Sequence, residues 1–193
     1  MLRSPMSEND VRSLRLGDEV TLSGTAFTAR DEAHLRALEL ARKGERVPFD
    51  LEGKMLFHCG PIVENDGEGW RLIAAGPTTS ARMNEMEPDF IRRFKPRAII
   101  GKGGMSKPTL EAMREHGCVY FAFTGGAAVV AAQGIKEIKG VHWLDLGMPE
   151  AVWQMEMQDF GPVIVAMDAH GNSIFESVAN AVRSNLKAIG RDR

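Results

Sequence analysis

No uninterrupted apolar run in this chain approaches the ~20 residues that a membrane-spanning helix needs. The opening stretch, Met1 to Asp18, is polar and of mixed charge, without the apolar segment of a secretory signal. The cytoplasm is therefore the expected compartment. Cysteine is nearly absent: Cys59 and Cys118 are the only two, far apart and without a CxxC neighbour. Neither a disulfide framework nor a zinc site is indicated. An excess of one charge is lacking too, since the net charge of −2 gives no argument for nucleic acid or a membrane surface as partner. Any positive charge used in function must be placed locally.

What is present suits a globular protein. A length of 193 residues supports one sizeable core, and 44% hydrophobic with 26% charged residues is ordinary for such a domain. We expect a single domain over residues 1–193, with 1–16 as a possible arm and 173–193 as a C-terminal helix. Strand and helix patterns alternate. Asp18 to Ser23 reads as a strand turned by Gly24. Asp31 then caps a helix from Glu32 to Lys43, with Leu35, Leu38 and Ala41 facing inward. Lys54 to Cys59 is a strand. His58 and Cys59 would point to opposite faces of it, which makes them poor joint metal ligands and better packed residues. An Asp-Gly hairpin tip at 64–69 leads to the strand Trp70–Ala75. Later come a helix from Pro88 to Phe94, a buried strand at 97–100, a helix from Pro108, and a buried strand at 118–123. A small-residue helix at 127–133 follows, then strands at 135–143, around Trp153 to Met157, and at 162–167. The sum is an α/β class with part of the sheet antiparallel.

One stretch organises the rest: Gly76-Pro77-Thr78-Thr79-Ser80-Ala81-Arg82-Met83. A strand feeds into it, Gly-Pro breaks the strand, and Thr78, Thr79 or Ser80 can cap a helix beginning at once. With a helix start near Thr78, Thr78 and Arg82 are spaced i, i+4 and share a face. A hydroxyl, a guanidinium and free backbone N–H groups would then converge on an anion. A capped helix with a solvated arginine is the plainer alternative. Arg30, beside the start of the preceding helix, has the same two readings: an anion ligand, or a surface partner for Asp31 or Glu32. The third candidate is Gly101-Lys102-Gly103-Gly104-Met105, where glycines after a strand permit close approach and Lys102 adds a point charge. It is not a nucleotide loop. Ser106 stands where GxGxxG needs its last glycine, and the P-loop spacing is missing. Arg30, Thr78, Arg82 and Lys102 together suit a small dicarboxylate.

At these residues the chain resembles the β subunits of class I, iron–sulfur-dependent fumarate hydratases and L(+)-tartrate dehydratases. The resemblance is carried by Thr28 to His34, His58-Cys59-Gly60-Pro61, the segments 76–83 and 101–105, and His142 to Glu150. Asp159 to Pro162 and Asp168 to Asn172 continue it, in order, from about residue 10 to 178. It implies a swivelling β/β/α layered domain with a mixed sheet. It also implies half an enzyme, a hydro-lyase active only with an α subunit, in an α2β2 assembly. That α subunit would carry the [4Fe–4S] cluster, and no metal would be ligated by this chain. Residue by residue, Arg30, Arg82 and Lys102 would bind substrate, and Thr78 would exchange a proton beside a carboxylate. Fumarate hydration to (S)-malate is the first expectation and L(+)-tartrate dehydration to oxaloacetate the second. A non-catalytic carboxylate-binding or scaffolding module is the reading from another class.

Overall fold

The structure, a computed structural model, describes residues 1–65, 67, 69–123 and 133–191. It is a mixed α/β fold, as the alternating patterns imply. The strands are β1 (Leu2–Arg3), β2 (Glu19–Thr28), β3 (Met55–Phe57), β4 (Ile62–Asn65), β5 (Trp70–Ala74), β6 (Ala98–Gly101), β7 (Val119–Ala122), β8 (Ile135–His142) and β9 (Val152–Met167). The α-helices are α1 (Glu8–Arg12), α2 (Asp31–Arg42), α3 (Glu87–Phe94), α4 (Lys107–His116) and α5 (Ile174–Arg191). Short 3₁₀ turns occupy Ser80–Met83 and Leu144–Leu146. The expected helix at 127–133 falls outside the described residues save for Gln133. No helix among those described is long and apolar enough to cross a membrane.

Five strands, β2-β3-β6-β7-β9, close on themselves because β9 pairs with β7 and also with β2. β2, β3, β6 and β7 run parallel, and β9 is antiparallel to its neighbours in the ring. β1 and β8 extend the ring, while β4 and β5 form a separate hairpin. Period-two alternation sorts the side chains between two cores. Met55 and Phe57, Ala98 and Ile100, and Val119 and Phe121 belong to the core inside the ring. The residues between them, Leu56, Ile99 and Tyr120, pack outward against α2, α3 and α4. Parallel strands covered on both faces are apolar throughout, which is why these three read as short continuous hydrophobic runs.

Three local expectations differ from what is seen. β2 does not turn at Gly24 but continues to Thr28, with the irregularity absorbed by register shifts around Leu22. The separate strands expected at 153–157 and 162–167 are one long strand, β9. α2 buries Ala33, His34, Ala37 and Leu38, while Leu35 is 51% exposed. The inward stripe is thus rotated by one residue from the leucine spacing, because small alanines fit the close approach of helix to sheet. Residues 1–16 pack on the body: β1 pairs with β2, and Met6, Val11 and Leu14 are buried.

Candidate active site

Register places the site. Thr28, Phe57 and Ile100 are neighbours across β2, β3 and β6. Two residues further on, each chain has just left its strand, at Arg30, Cys59 and Lys102. These lie side by side at the carboxyl edge of the parallel strands, where loops from an α/β sheet gather around ligands. The segment from Pro77 threads across that edge. Pro77 bridges to Cys59, and Thr79 to Lys102. Thr78 donates its N–H to the carbonyl of His58 at 2.7 Å, and Ser80 donates its N–H to that of Lys102 at 3.0 Å. Thr78 is half-buried, whereas Arg82 and Lys102 are exposed.

The helix expected to begin at Thr78 is absent. A 3₁₀ turn begins at Ser80, and Thr79, its N-cap, makes no side-chain cap bond. Thr78 therefore precedes the turn, and four residues of 3₁₀ supply little dipole. The position of Thr78 rests on strand-like bridges to β3 and β6 instead.

Each arginine already faces a carboxylate. Arg30 Nε lies 3.2 Å from Glu150 Oε1, and Arg82 grips Asp31 with Nε and Nη2 at 3.1 and 2.9 Å. Arg30 thus pairs with neither Asp31 nor Glu32, the local partners that sequence proximity offers. Glu150 arrives by long-range placement. The buried Thr28 hydroxyl donates to the carbonyl of Ala151 at 3.3 Å and accepts the N–H of Trp153 at 3.0 Å. The other oxygen of Glu150 accepts the Glu32 N–H at 3.1 Å, a carboxylate at the start of α2. On this chain the rim therefore carries three cations against two anions, one net positive charge.

Glycines set its clearances. A Cβ on Gly60 would lie 2.6 Å from Arg30 Nη1 and 2.9 Å from the carbonyl of Pro149. A Cβ on Gly101 would overlap Ser80 Oγ and approach the Tyr120 hydroxyl to 2.8 Å. The first glycine of the lysine loop thus makes room for a side-chain network below, not for a ligand above.

That network has no solvent exposure at His34, His58, Ser80, Glu87 or Tyr120. The Nε2 atoms of His34 and His58 lie 3.3 and 3.0 Å from Glu87 Oε2. Burial alone would push the Glu87 carboxyl up, but the two imidazoles outweigh it and hold it down at about 2. Burial pushes both imidazoles down; the charge of Glu87 overcomes that at His34, whose pKa is raised, but not at His58, whose pKa is lowered. Of this group His58 was singled out from the sequence as a packed residue, and it is buried, while Ser80 was named only as a possible helix cap. His34 was hidden by the expected Leu35 stripe, and Glu87 by its place just before Pro88 at a helix start.

An iron–sulfur cluster requires cysteine thiolates. Cys59 sits in the core inside the ring and Cys118 in the core under the helices, both fully buried. Burial drives both thiols upward and keeps them protonated. These residues do not fit a cluster.

Residues 1–178 match the family described as Fumarase C-terminus. The chain belongs to that family. A Methanocaldococcus jannaschii protein provisionally named L(+)-tartrate dehydratase subunit beta is 46% identical over 185 residues, covering 95% of each chain. The L(+)-tartrate dehydratase subunit beta of Escherichia coli K12 is 42% identical over 174 residues, or 90% of this chain and 85% of the relative. A Geobacillus stearothermophilus protein provisionally named class I fumarate hydratase is 41% identical over 186 residues, which span 96% of this chain but 35% of that protein. The family is thus the class I fumarase and tartrate dehydratase group of hydro-lyase subunits, as the motifs imply. Segments 28–34, 58–61, 76–83 and 101–105, which carry the resemblance, and Glu150 meet at the carboxyl edge.

Proposed function

We propose that this chain is the β subunit of an L(+)-tartrate dehydratase, converting L(+)-tartrate to oxaloacetate and water. This reverses the order in which the motifs alone rank the two substrates. The reading is supported by likeness along nearly the whole chain to proteins named as β subunits of that enzyme. Fumarate hydration to (S)-malate is second, favoured by the likeness to part of the longer Geobacillus protein. The swivelling β/β/α layering, the cytoplasmic setting and an α2β2 assembly with an α subunit belong to the same proposal. The [4Fe–4S] cluster is assigned to the α subunit, because the thiols of this chain are the wrong number and in the wrong places.

The same reading assigns roles to this chain's residues, as the resemblance implies. Arg30 and Arg82 share their guanidinium groups between a carboxylate of this chain and a substrate carboxylate, and Lys102 adds a further positive charge. Thr78 handles the proton on the carbon beside a carboxylate. A free threonine hydroxyl is a very weak base, so this role requires neighbouring cations to stabilise the oxygen as it loses its proton. Loss of that proton and of hydroxide from the adjacent carbon leaves the enol of oxaloacetate, which becomes the ketone.

Anaerobic co-expression with an α subunit, followed by assays with both tartrate enantiomers, fumarate and malate, tests this reading. L(+)-tartrate should give the highest kcat/KM, and the chain alone should be iron-free and inactive. Faster fumarate hydration would make it a fumarase subunit. Cluster absorbance from the chain alone would overturn the partnership, and inactivity of the loaded complex on all four acids would favour the non-catalytic module.

A further inference from the structure

We infer that His34, Glu87 and His58, with Ser80 and Tyr120, form a charge-ordered bridge that positions Arg30, Thr78 and Lys102 from below. The role rests on the reading of those three as ligand-facing groups.

The proton order follows from groups that can only accept. The carbonyl of Arg30 lies 2.7 Å from His34 Nδ1, so that nitrogen carries a proton. The Tyr120 hydroxyl shares its one proton between Ser80 Oγ at 3.0 Å and the carbonyl of Gly103 at 2.9 Å. The Ser80 hydroxyl then turns its own proton to His58 Nδ1 at 3.0 Å, and His58 carries its proton on Nε2, facing Glu87. If His34 were neutral, it would aim a bare lone pair at the same carboxylate oxygen, 3.3 Å away. His34 is therefore the imidazolium, Glu87 the carboxylate and His58 neutral. Neither Glu87 oxygen has a hydrogen-bond donor of good geometry among the described residues, so its charge is compensated through these two rings. A site closed to solvent thus carries no net charge, the condition under which buried ions are tolerated. The opposing shifts of the two imidazoles agree with this order.

The bridge ends on the backbone of the rim. One end holds the carbonyl of Arg30. The other holds Ser80, whose N–H fixes Lys102, and His58, whose carbonyl fixes the N–H of Thr78. The remaining titratable groups that act on it are Asp31 on α2 and Cys118 and Tyr120 on the β7 side.

Nitrogen-15 NMR of the full chain at neutral pH tests the order directly. His34 should be protonated on both nitrogens and His58 on Nε2 alone, with no stoichiometric metal by elemental analysis. Both rings protonated only on Nδ1, or a bound divalent ion, would overturn it in favour of a His–His–Glu metal site. Positioning is read without activity from exchange of the Thr78 amide, which should be ~10-fold faster in Ser80→Ala. Unchanged exchange would remove the role. In the assembled enzyme, Glu87→Gln should lower kcat/KM ~10–100-fold and shift its pH profile, with partial rescue by Glu87→Asp. An active enzyme whose Ser80→Ala and Glu87→Gln variants keep full kcat/KM and the same pH profile would also overturn it. Inactivity of the wild-type complex bears on the function proposed above, and leaves the NMR and exchange results to decide this one.

Discussion

The floor and the rim of the candidate site are built on different principles. Below the carboxyl edge, His34, Glu87, His58, Ser80 and Tyr120 are excluded from water, and Gly101 is pressed against two of their hydroxyls. Above it, Arg82 is half exposed, Lys102 projects into solvent, and the arginines hold carboxylates that a ligand could displace. The floor fixes geometry through groups that cannot rearrange without stranding a charge. The rim supplies charge that can be shared. Separating the two lets a site be both rigid and electrostatically adaptable, and it predicts that substitutions in the two layers fail differently.

Thr78 lies between the layers and should show the largest effect. Thr78→Val should lower kcat by ~10²–10⁴-fold with little change in Tm, while Thr78→Ser keeps appreciable activity. Solvent exchange of the substrate C–H proton, followed by NMR, should fall in step; persistence of exchange would place the base on the other subunit. Next comes the floor. Glu87→Gln breaks a buried ion pair and should cost ~3 kcal/mol of stability near pH 5–6, measured by denaturant unfolding. The sign is set by linkage. The Glu87 pKa is lowered on folding from 4.5 to about 2, so its contribution is present above 4.5 and lost as pH falls toward 2. The His34 pKa is raised above 6.5, so its contribution is full below 6.5 and lost as pH rises through the raised value. The gap between wild type and variant should therefore narrow on both sides.

The rim should respond less, and in binding. Lys102→Ala and Arg82→Ala should each cost ~1.5–3 kcal/mol in kcat/KM, with stability changed by no more than ~0.5 kcal/mol. Gly101→Ala should cost ~1–3 kcal/mol of stability through overpacking, with activity falling as Ser80 is displaced. A Gly101→Ala variant that is fully stable and active would show that the floor is softer than its contacts suggest. Smallest of all, Val182→Ser on α5, where Val182 is 50% exposed, should change the Tm of the isolated chain by almost nothing.

Much of the site was legible because its parts are local. Glycine and proline punctuation marked the ends of β3, β5 and β6, and Arg82 and Lys102 stood close to the last two of those marks. What stayed hidden depends on the closed ring. Only β9 brings Glu150 to Arg30, and only the one-residue rotation of α2 turns His34 toward Glu87. The Thr78 helix was misjudged because Gly-Pro followed by hydroxyl residues is a sound capping signal. Here the backbone groups are met by β3 and β6 instead, a tertiary partner that no local window contains.

Ring closure also orders events in time. β2 emerges early in synthesis, yet one of its edges stays open until β9, near the other end of the chain, arrives to pair with it. Such distant pairing is slow to form, and an open edge invites other strands meanwhile. A nascent chain halted before Val152 would have the three parallel pairings of the ring available but no seam, leaving the ring interior wet and Arg30 without Glu150 held against it. The last strand to be made thus both seals the barrel and completes the rim, so a chain with the whole rim in place is one that has finished folding.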